Sequence, residues 1–119
     1  DVAPGMRIAQ EEVFGPVLAI IPFDSDEEAI EIANGTIYGL AAGVWTQSMA
    51  RALTMSEKLK AGTVWINTYR ATSYMSPFGG FKRSGIGRES GLSAIREYLQ
   101  EKSVWIDISG TVPNPFVQR

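Results

Sequence analysis

The stretch LAAGVWTQSMARALTMSEKLKAGTVWIN, Leu40 to Asn67, decides the fold. At its ends stand LAAGVWT (Leu40 to Thr46) and TVWIN (Thr63 to Asn67), apolar runs of strand length. Between them Ser48 can cap a helix whose Met49, Ala52, Met55 and Leu59 recur at i, i+3, i+4 spacing. Lys58 and Lys60 suit the negative end of that helix, and Gly62 suits its termination. Strand, helix and strand with short connections predict a parallel pair joined by a right-handed crossover.

Working outward, VLAIIPF (Val17 to Phe23) reads as a further strand, apolar enough to be buried on both faces. Ser25-x-x-Glu28 has capping-box spacing, and Asp26, Glu27 and Glu28 suit a helix start. Asn34-Gly35 ends that helix, with glycine available for a left-handed cap. On the other side, Leu92, Ile95 and Leu99 mark a third helix. SVWIDI (Ser103 to Ile108) is a strand with Val104, Ile106 and Ile108 on one face, and GTVPNPFVQR reads as an extended tail. The fold class is α/β: a parallel sheet with flanking helices (βαβαβ), a long glycine-rich loop, a third helix and a C-terminal strand.

The 119 residues suggest a single domain, which would bury roughly two-thirds of its unfolded surface. A net charge of −2 offers no basic face for nucleic acid. No apolar run approaches the ~20 residues of a membrane-spanning helix. Nothing resembles a signal peptide, so a cytoplasmic location is expected. The chain has no Cys and no His. That excludes disulfides, a Cys or His metal site, and any Ser-His or Cys-His nucleophile within it. It opens on Asp1, with its first methionine at Met6, and reads as cut from something longer.

Between TVWIN and the third helix lie about 20 residues without strand or helix period, longer than most structureless loops in compact domains. MSPFGGFKRSGIGRESG, Met75 to Gly91, supplies most of them, with five glycines and three cations. It fails both phosphate-cradle templates. From Gly80 the second P-loop glycine is Gly85, but Ile86 stands where Lys is required; after Gly85 and Gly87, Ser90 stands where the dinucleotide fingerprint needs glycine. On composition alone the glycines permit tight turns and close backbone packing, and Lys82, Arg83 and Arg88 are solvated or paired.

Four segments together resemble the NAD(P)-dependent aldehyde dehydrogenase superfamily. They are Glu11-Glu12-Val13-Phe14-Gly15-Pro16, Tyr38-Gly39-Leu40-Ala41-Ala42-Gly43-Val44, Gly62-Thr63-Val64-Trp65-Ile66-Asn67, and Ser76-Pro77-Phe78-Gly79-Gly80-Phe81-Lys82-Arg83-Ser84-Gly85-Ile86-Gly87-Arg88-Glu89. They lie in the family's order and spacing, from about Met6 to Ile106. The resemblance implies residues 1–102 as the C-terminal part of the catalytic domain and 103–119 as an oligomerisation strand and tail. Members oxidise an aldehyde to a carboxylic acid through a Cys thiolate, passing a hydride to NAD, or in some cases NADP. That Cys, and the rest of the catalytic set, lie upstream in the family, so no catalytic residue and no metal ligand is assigned here.

By the same resemblance Glu12 binds the nicotinamide ribose and Phe14 packs near the nicotinamide. A carboxylate can accept from both hydroxyls of a vicinal diol. Read without the family, the Glu-Glu pair is a solvated surface feature and Phe14 a core residue at a strand start. In an extended segment Glu11 and Glu12 face opposite ways, and Phe14 shares the face of Glu12. Phe78 matches an aromatic of the substrate tunnel, or simply anchors its loop, and Thr72 falls where the family varies its substrate contacts. An aldehyde substrate and a homo-oligomer are the implied partners. The alternative is a stand-alone, non-catalytic assembly module with the same fold.

Overall fold

A computed structural model describes residues 1–111, 114, 116 and 117. Its elements are α1 (Arg7–Gln10), α2 (Asp26–Asn34), β1 (Tyr38–Gly39), β2 (Ala41–Val44), α3 (Met49–Lys58), β3 (Thr63–Ile66), β4 (Phe81–Lys82) and a 3-10 helix (Leu92–Tyr98).

The central unit forms as the sequence requires. Strands β2 and β3 pair in parallel, with Ala41 opposite Thr63 and Val44 opposite Ile66. The Ser48 hydroxyl accepts from the Arg51 amide at 3.3 Å and so caps α3. Ala52, Met55 and Leu59, the stripe foreseen for this helix, are the buried apolar residues among those described. Met49, at the start of the stripe, stays exposed.

Helix α2 also starts where its capping box places it. The Ser25 hydroxyl accepts from the Glu28 amide at 3.1 Å, while the Glu28 carboxylate reaches back to the Asp24 amide at 2.7 Å. Arg51 of α3 pairs with Asp26 of α2 at 2.7 Å, tying the two helices together. The hydrogen bond to Asp26, and then the charge of that partner, hold the Arg51 guanidinium above its usual pKa.

The helix ends differ from expectation. Gly35 has φ −75°, so it is no left-handed cap, and α3 stops at Lys58, well before Gly62. Asn34 does the capping instead. Its side-chain amide donates to the Lys58 carbonyl at 2.9 Å and accepts from the Lys60 amide at 2.7 Å. The ammonium of Lys82 donates to the carbonyls of Asn34 and Thr36 at 2.8 and 2.9 Å, closing the end of α2. Gly62 serves the loop packing described below.

Two of the expected strands do not form. Val17–Phe23 and Ser103–Ile108 are irregular, with Leu18, Ile20, Val104, Trp105, Ile106 and Ile108 exposed. A strand exists only through a neighbour that takes its N–H and C=O groups, and within the described residues neither segment meets one. The βαβαβ sheet is thus reduced to one parallel βαβ unit beside a short antiparallel ladder between β1 and β4. The third helix is a 3-10 helix with Leu92, Ile95 and Leu99 exposed. The tail falls partly on residues 112, 113, 115, 118 and 119, which lie outside the described residues.

The expectation of a sizeable core is corrected accordingly. The radius of gyration is 22.2 Å, against about 13–14 Å for a compact chain of this length. The accessible surface is 10582 Å², against about 6,300 Å² for such a globule. No described helix is long and apolar enough to cross a membrane.

Candidate functional site

The glycine-rich segment is a fastened loop. Phe78 and Glu89 exchange both backbone hydrogen bonds at 2.7 Å, and the Gly91 amide donates to the Tyr74 carbonyl at 2.9 Å. The Arg88 guanidinium donates to the carbonyls of Gly87 and Gly80 at 2.6 and 3.1 Å and lies 5.3 Å from the centre of the Phe81 ring. The loop crosses the start of β3 backbone to backbone: a Cβ on Gly62 would stand 1.6 Å from the Gly79 carbonyl oxygen. Only glycine fits there. Close packing was therefore the correct reading at Gly79 and Gly80, while Gly85 and Gly87 supply positive-φ turns, and cations read as solvated or paired are in part carbonyl clamps.

Thr72 and Phe78 come together. Both line a cavity of about 640 Å³ with Trp65 and Glu89, and a second of about 560 Å³ with Trp65, Arg70 and Gly43. Thr72 is exposed and Phe78 half-buried. Trp65 holds this wall from β3: its indole N–H donates to the Ala71 carbonyl at 2.8 Å, and its ring meets Tyr69 edge-on at 5.6 Å. Asn67 anchors the loop's departure. With φ 52° it leaves the strand in the left-handed region, and its side-chain amide completes the ladder. It donates to the Thr46 carbonyl and accepts from the Thr46 amide, both at 2.8 Å.

Glu12 lies elsewhere. It lines a cavity of about 430 Å³ at the amino ends of β2 and β3, with Tyr38, Lys60 and Ser84. Residues 11–16 do precede the sheet as chain order suggests, and the loop comes back to meet them. Ser84 accepts from the Gly39 amide at 2.9 Å, and the Arg83 amide donates to the Ile37 carbonyl at 3.0 Å.

The two glutamates are told apart by their partners. Arg7 engages the Glu11 carboxylate through two hydrogen bonds of 2.9 and 2.8 Å. That bond holds the Glu11 carboxyl below its usual range and the Arg7 guanidinium above its own. The Glu12 carboxylate makes no hydrogen bond or ion pair among the described residues, and Phe14 does not stay beside it in the groove. Hydrogen bonds from the Gly15 amide to the Val13 carbonyl (2.9 Å) and from the Val17 amide to the Gly15 carbonyl (2.8 Å) bend the chain twice. The period of two is lost there, and Phe14 is fully exposed.

Sequence reasoning missed Trp65, Arg70, Asn67 and Ser84. Asn67 carried one usable signal, an asparagine directly after a β-branched run, where left-handed backbone is tolerated. The others depend on the loop's return path, which has no periodic trace.

The family model described as the aldehyde dehydrogenase family matches residues 1–104. Betaine aldehyde dehydrogenase of Cereibacter sphaeroides is 50% identical over 98% of this chain and 24% of its own length. Among solved structures, the NAD+ complex of an aldehyde dehydrogenase from Bacillus cereus is 56% identical with a TM-score of 0.82, over 91% of this chain and 22% of that one. The indole-3-acetaldehyde dehydrogenase of P. syringae, in complex with NAD+ and IAA, is 52% identical with a TM-score of 0.82, over 90% of this chain and 22% of that one. The chain spans about a quarter of the length of the curated relative.

Proposed function

The chain belongs to the aldehyde dehydrogenase family, and from that premise we propose that it is the C-terminal portion of an enzyme oxidising an aldehyde to a carboxylic acid with NAD. The observation that carries this reading is the path of the glycine loop. One fastened segment sets Phe78 beside Thr72 in one pair of cavities and Ser84 beside Glu12 in another. A dehydrogenase needs that arrangement, since aldehyde and cofactor must be held in fixed relation.

The chemistry of the donor set fits a nicotinamide ribose. Both glutamates line the groove, but Glu11 is occupied by Arg7, whereas Glu12 keeps its acceptor capacity unspent. Bound there, NAD would supply the acceptor for the hydride leaving the aldehyde carbon. Glu12 would hold the ribose hydroxyls, with Phe14 covering the ring from the bend that follows. Thr72 and Phe78 would shape the aldehyde tunnel, and Trp65 would keep their loop in place.

The chain alone supplies no thiolate, so we propose that it is inactive by itself and works within the complete enzyme. Its excess exposed surface supports the rest of this reading: Val17–Phe23 and Ser103–Ile108 become strands when neighbours pair with them, the latter at a subunit contact. The decisive experiment is Glu12→Gln in the complete enzyme, set beside Phe78→Ala. Glu12→Gln should raise the Kd for NAD about tenfold or more and leave the aldehyde KM in place, while Phe78→Ala should do the reverse. Unchanged NAD affinity in Glu12→Gln would remove Glu12 from the cofactor site. A non-catalytic assembly module would show neither effect.

A further inference from the structure

Arg70 belongs to the same wall. It lines the cavity of about 560 Å³ shared by Thr72, Phe78 and Trp65, and no Asp or Glu lines that cavity. The neighbouring cavity carries Glu89, yet Arg70 forms no ion pair among the described residues. Its guanidinium lies 5.5 Å from the centre of the Tyr69 ring, and Tyr69 is itself braced edge-on by Trp65. Of the three cations of the glycine loop, Lys82 closes α2 and Arg88 clamps two carbonyls, while Arg83 is likewise without a side-chain partner among the described residues but does not line this cavity.

The backbone at Arg70 is also unusual. Its φ is 57°, a left-handed conformation that costs an arginine about 1–2 kcal/mol and is common only for Gly, Asn and Asp. Asn67, Lys82 and Ser90 share this backbone region; at Arg70 it coincides with a cavity wall and a cation unpaired among the described residues. Stacking on Tyr69 restricts the side chain while leaving its donors free, which suits a planar fork built for two oxygens.

We propose that Arg70 sets substrate specificity, and that the aldehyde admitted by this wall carries a carboxylate at the end remote from its reacting carbon. The inference rests on Thr72 and Phe78 lining the substrate tunnel. Leu40, Trp65 and Phe78 line the same cavity as the exposed cation and offer it an apolar neighbourhood. They leave the carbon chain between the two ends in apolar contact. A cationic tail is repelled by the same charge.

The test compares succinic semialdehyde, butanal and betaine aldehyde in the complete enzyme with NAD, for the native protein, Arg70→Ala and Arg70→Lys. Succinic semialdehyde should be the preferred substrate. Arg70→Ala should raise its KM about 10- to 100-fold, the range of a charged hydrogen-bonded contact. The kcat and the butanal parameters should stay within about twofold, as for a lost ground-state contact. Arg70→Lys should recover part of the loss, keeping charge without the fork. A native enzyme indifferent to the carboxylate, or a preference that survives in Arg70→Ala, overturns the proposal and leaves the dehydrogenase reading standing. If no aldehyde is oxidised, that reading fails by itself, and succinate binding followed by tryptophan fluorescence decides for Arg70. Saturable quenching that disappears in Arg70→Ala upholds the site; no quenching, or quenching that persists in the variant, removes it.

Discussion

The unit β2–α3–β3 and the two apolar arms, Val17–Phe23 and Ser103–Ile108, are similarly hydrophobic, yet only the first builds a core. Its stripe of Ala52, Met55 and Leu59 is buried, whereas Ile20 in one arm is 72% exposed and Ile106 in the other 81%. The difference is the distance to a partner. The strands of the central unit are brought together by a ten-residue helix between them, and its capping and periodicity are local. The arms need strands from elsewhere. An apolar pattern states that a segment is to be covered, and topology determines by what.

The sharpest contrast should come from Ile20→Asp. In the complete enzyme proposed above, where the arm is covered, an uncompensated buried charge should cost about 3–5 kcal/mol. In the 119-residue chain the same change, at an exposed position, should stay within about 0.5 kcal/mol. Denaturant unfolding of both proteins measures the two values, and equal small effects would show that the arm stays uncovered.

Gly62→Ala attacks the central unit where it meets the loop. The new methyl would collide with the Gly79 carbonyl, which belongs to fastened backbone. A loss of about 3 kcal/mol is expected, at the upper end of overpacking costs, read as a fall in the thermal midpoint. An unchanged midpoint would mean that the loop can move aside.

Asn67→Ala is milder. Removing both side-chain bonds to Thr46 should cost about 1–2 kcal/mol and speed hydrogen exchange at the Thr46 amide. Asn67→Asp keeps the acceptor, so that amide should remain protected. If Asp and Ala exchange alike, the side chain does not extend the ladder.

The smallest effect concerns pH. The Arg7 bond lowers the Glu11 pKa, so its stabilising contribution is present above the ordinary glutamate range. It is lost as pH falls through the depressed value. Because the pair is exposed, the change should be slight and salt-sensitive. Arg7→Ala should return the Glu11 carboxyl midpoint, followed by NMR, to the ordinary range; an identical midpoint in both proteins would dismiss the bond.

These regions also show what a sequence can convey. The starts of α2 and α3 were legible because Ser25, Glu28 and Ser48 act within one helical turn. The glycines were legible as packing or turn positions, though not which backbone Gly62, Gly79 and Gly80 would meet. Asn34, Lys82 and Ser84 were illegible, because each bonds across 24 to 48 residues of chain. Glu12 and Phe14 were placed on one face by assuming extended backbone, and two tight turns undid that assumption. Thr72 and Phe78 were named through resemblance, while Arg70, one turn of chain away, needed the cavity to be seen.

The crossing at Gly62 and Gly79 has an evolutionary corollary. Scaffold and selectivity are written at separate positions: the crossing uses main chain alone, and Trp65 grips Ala71 through its carbonyl. The side chains at 70 and 72 therefore carry none of that fastening. In the enzyme proposed above, the codon at 72 can drift toward a new aldehyde while the framework holds still, whereas at 70 the left-handed backbone, φ 57°, restricts which side chains can follow.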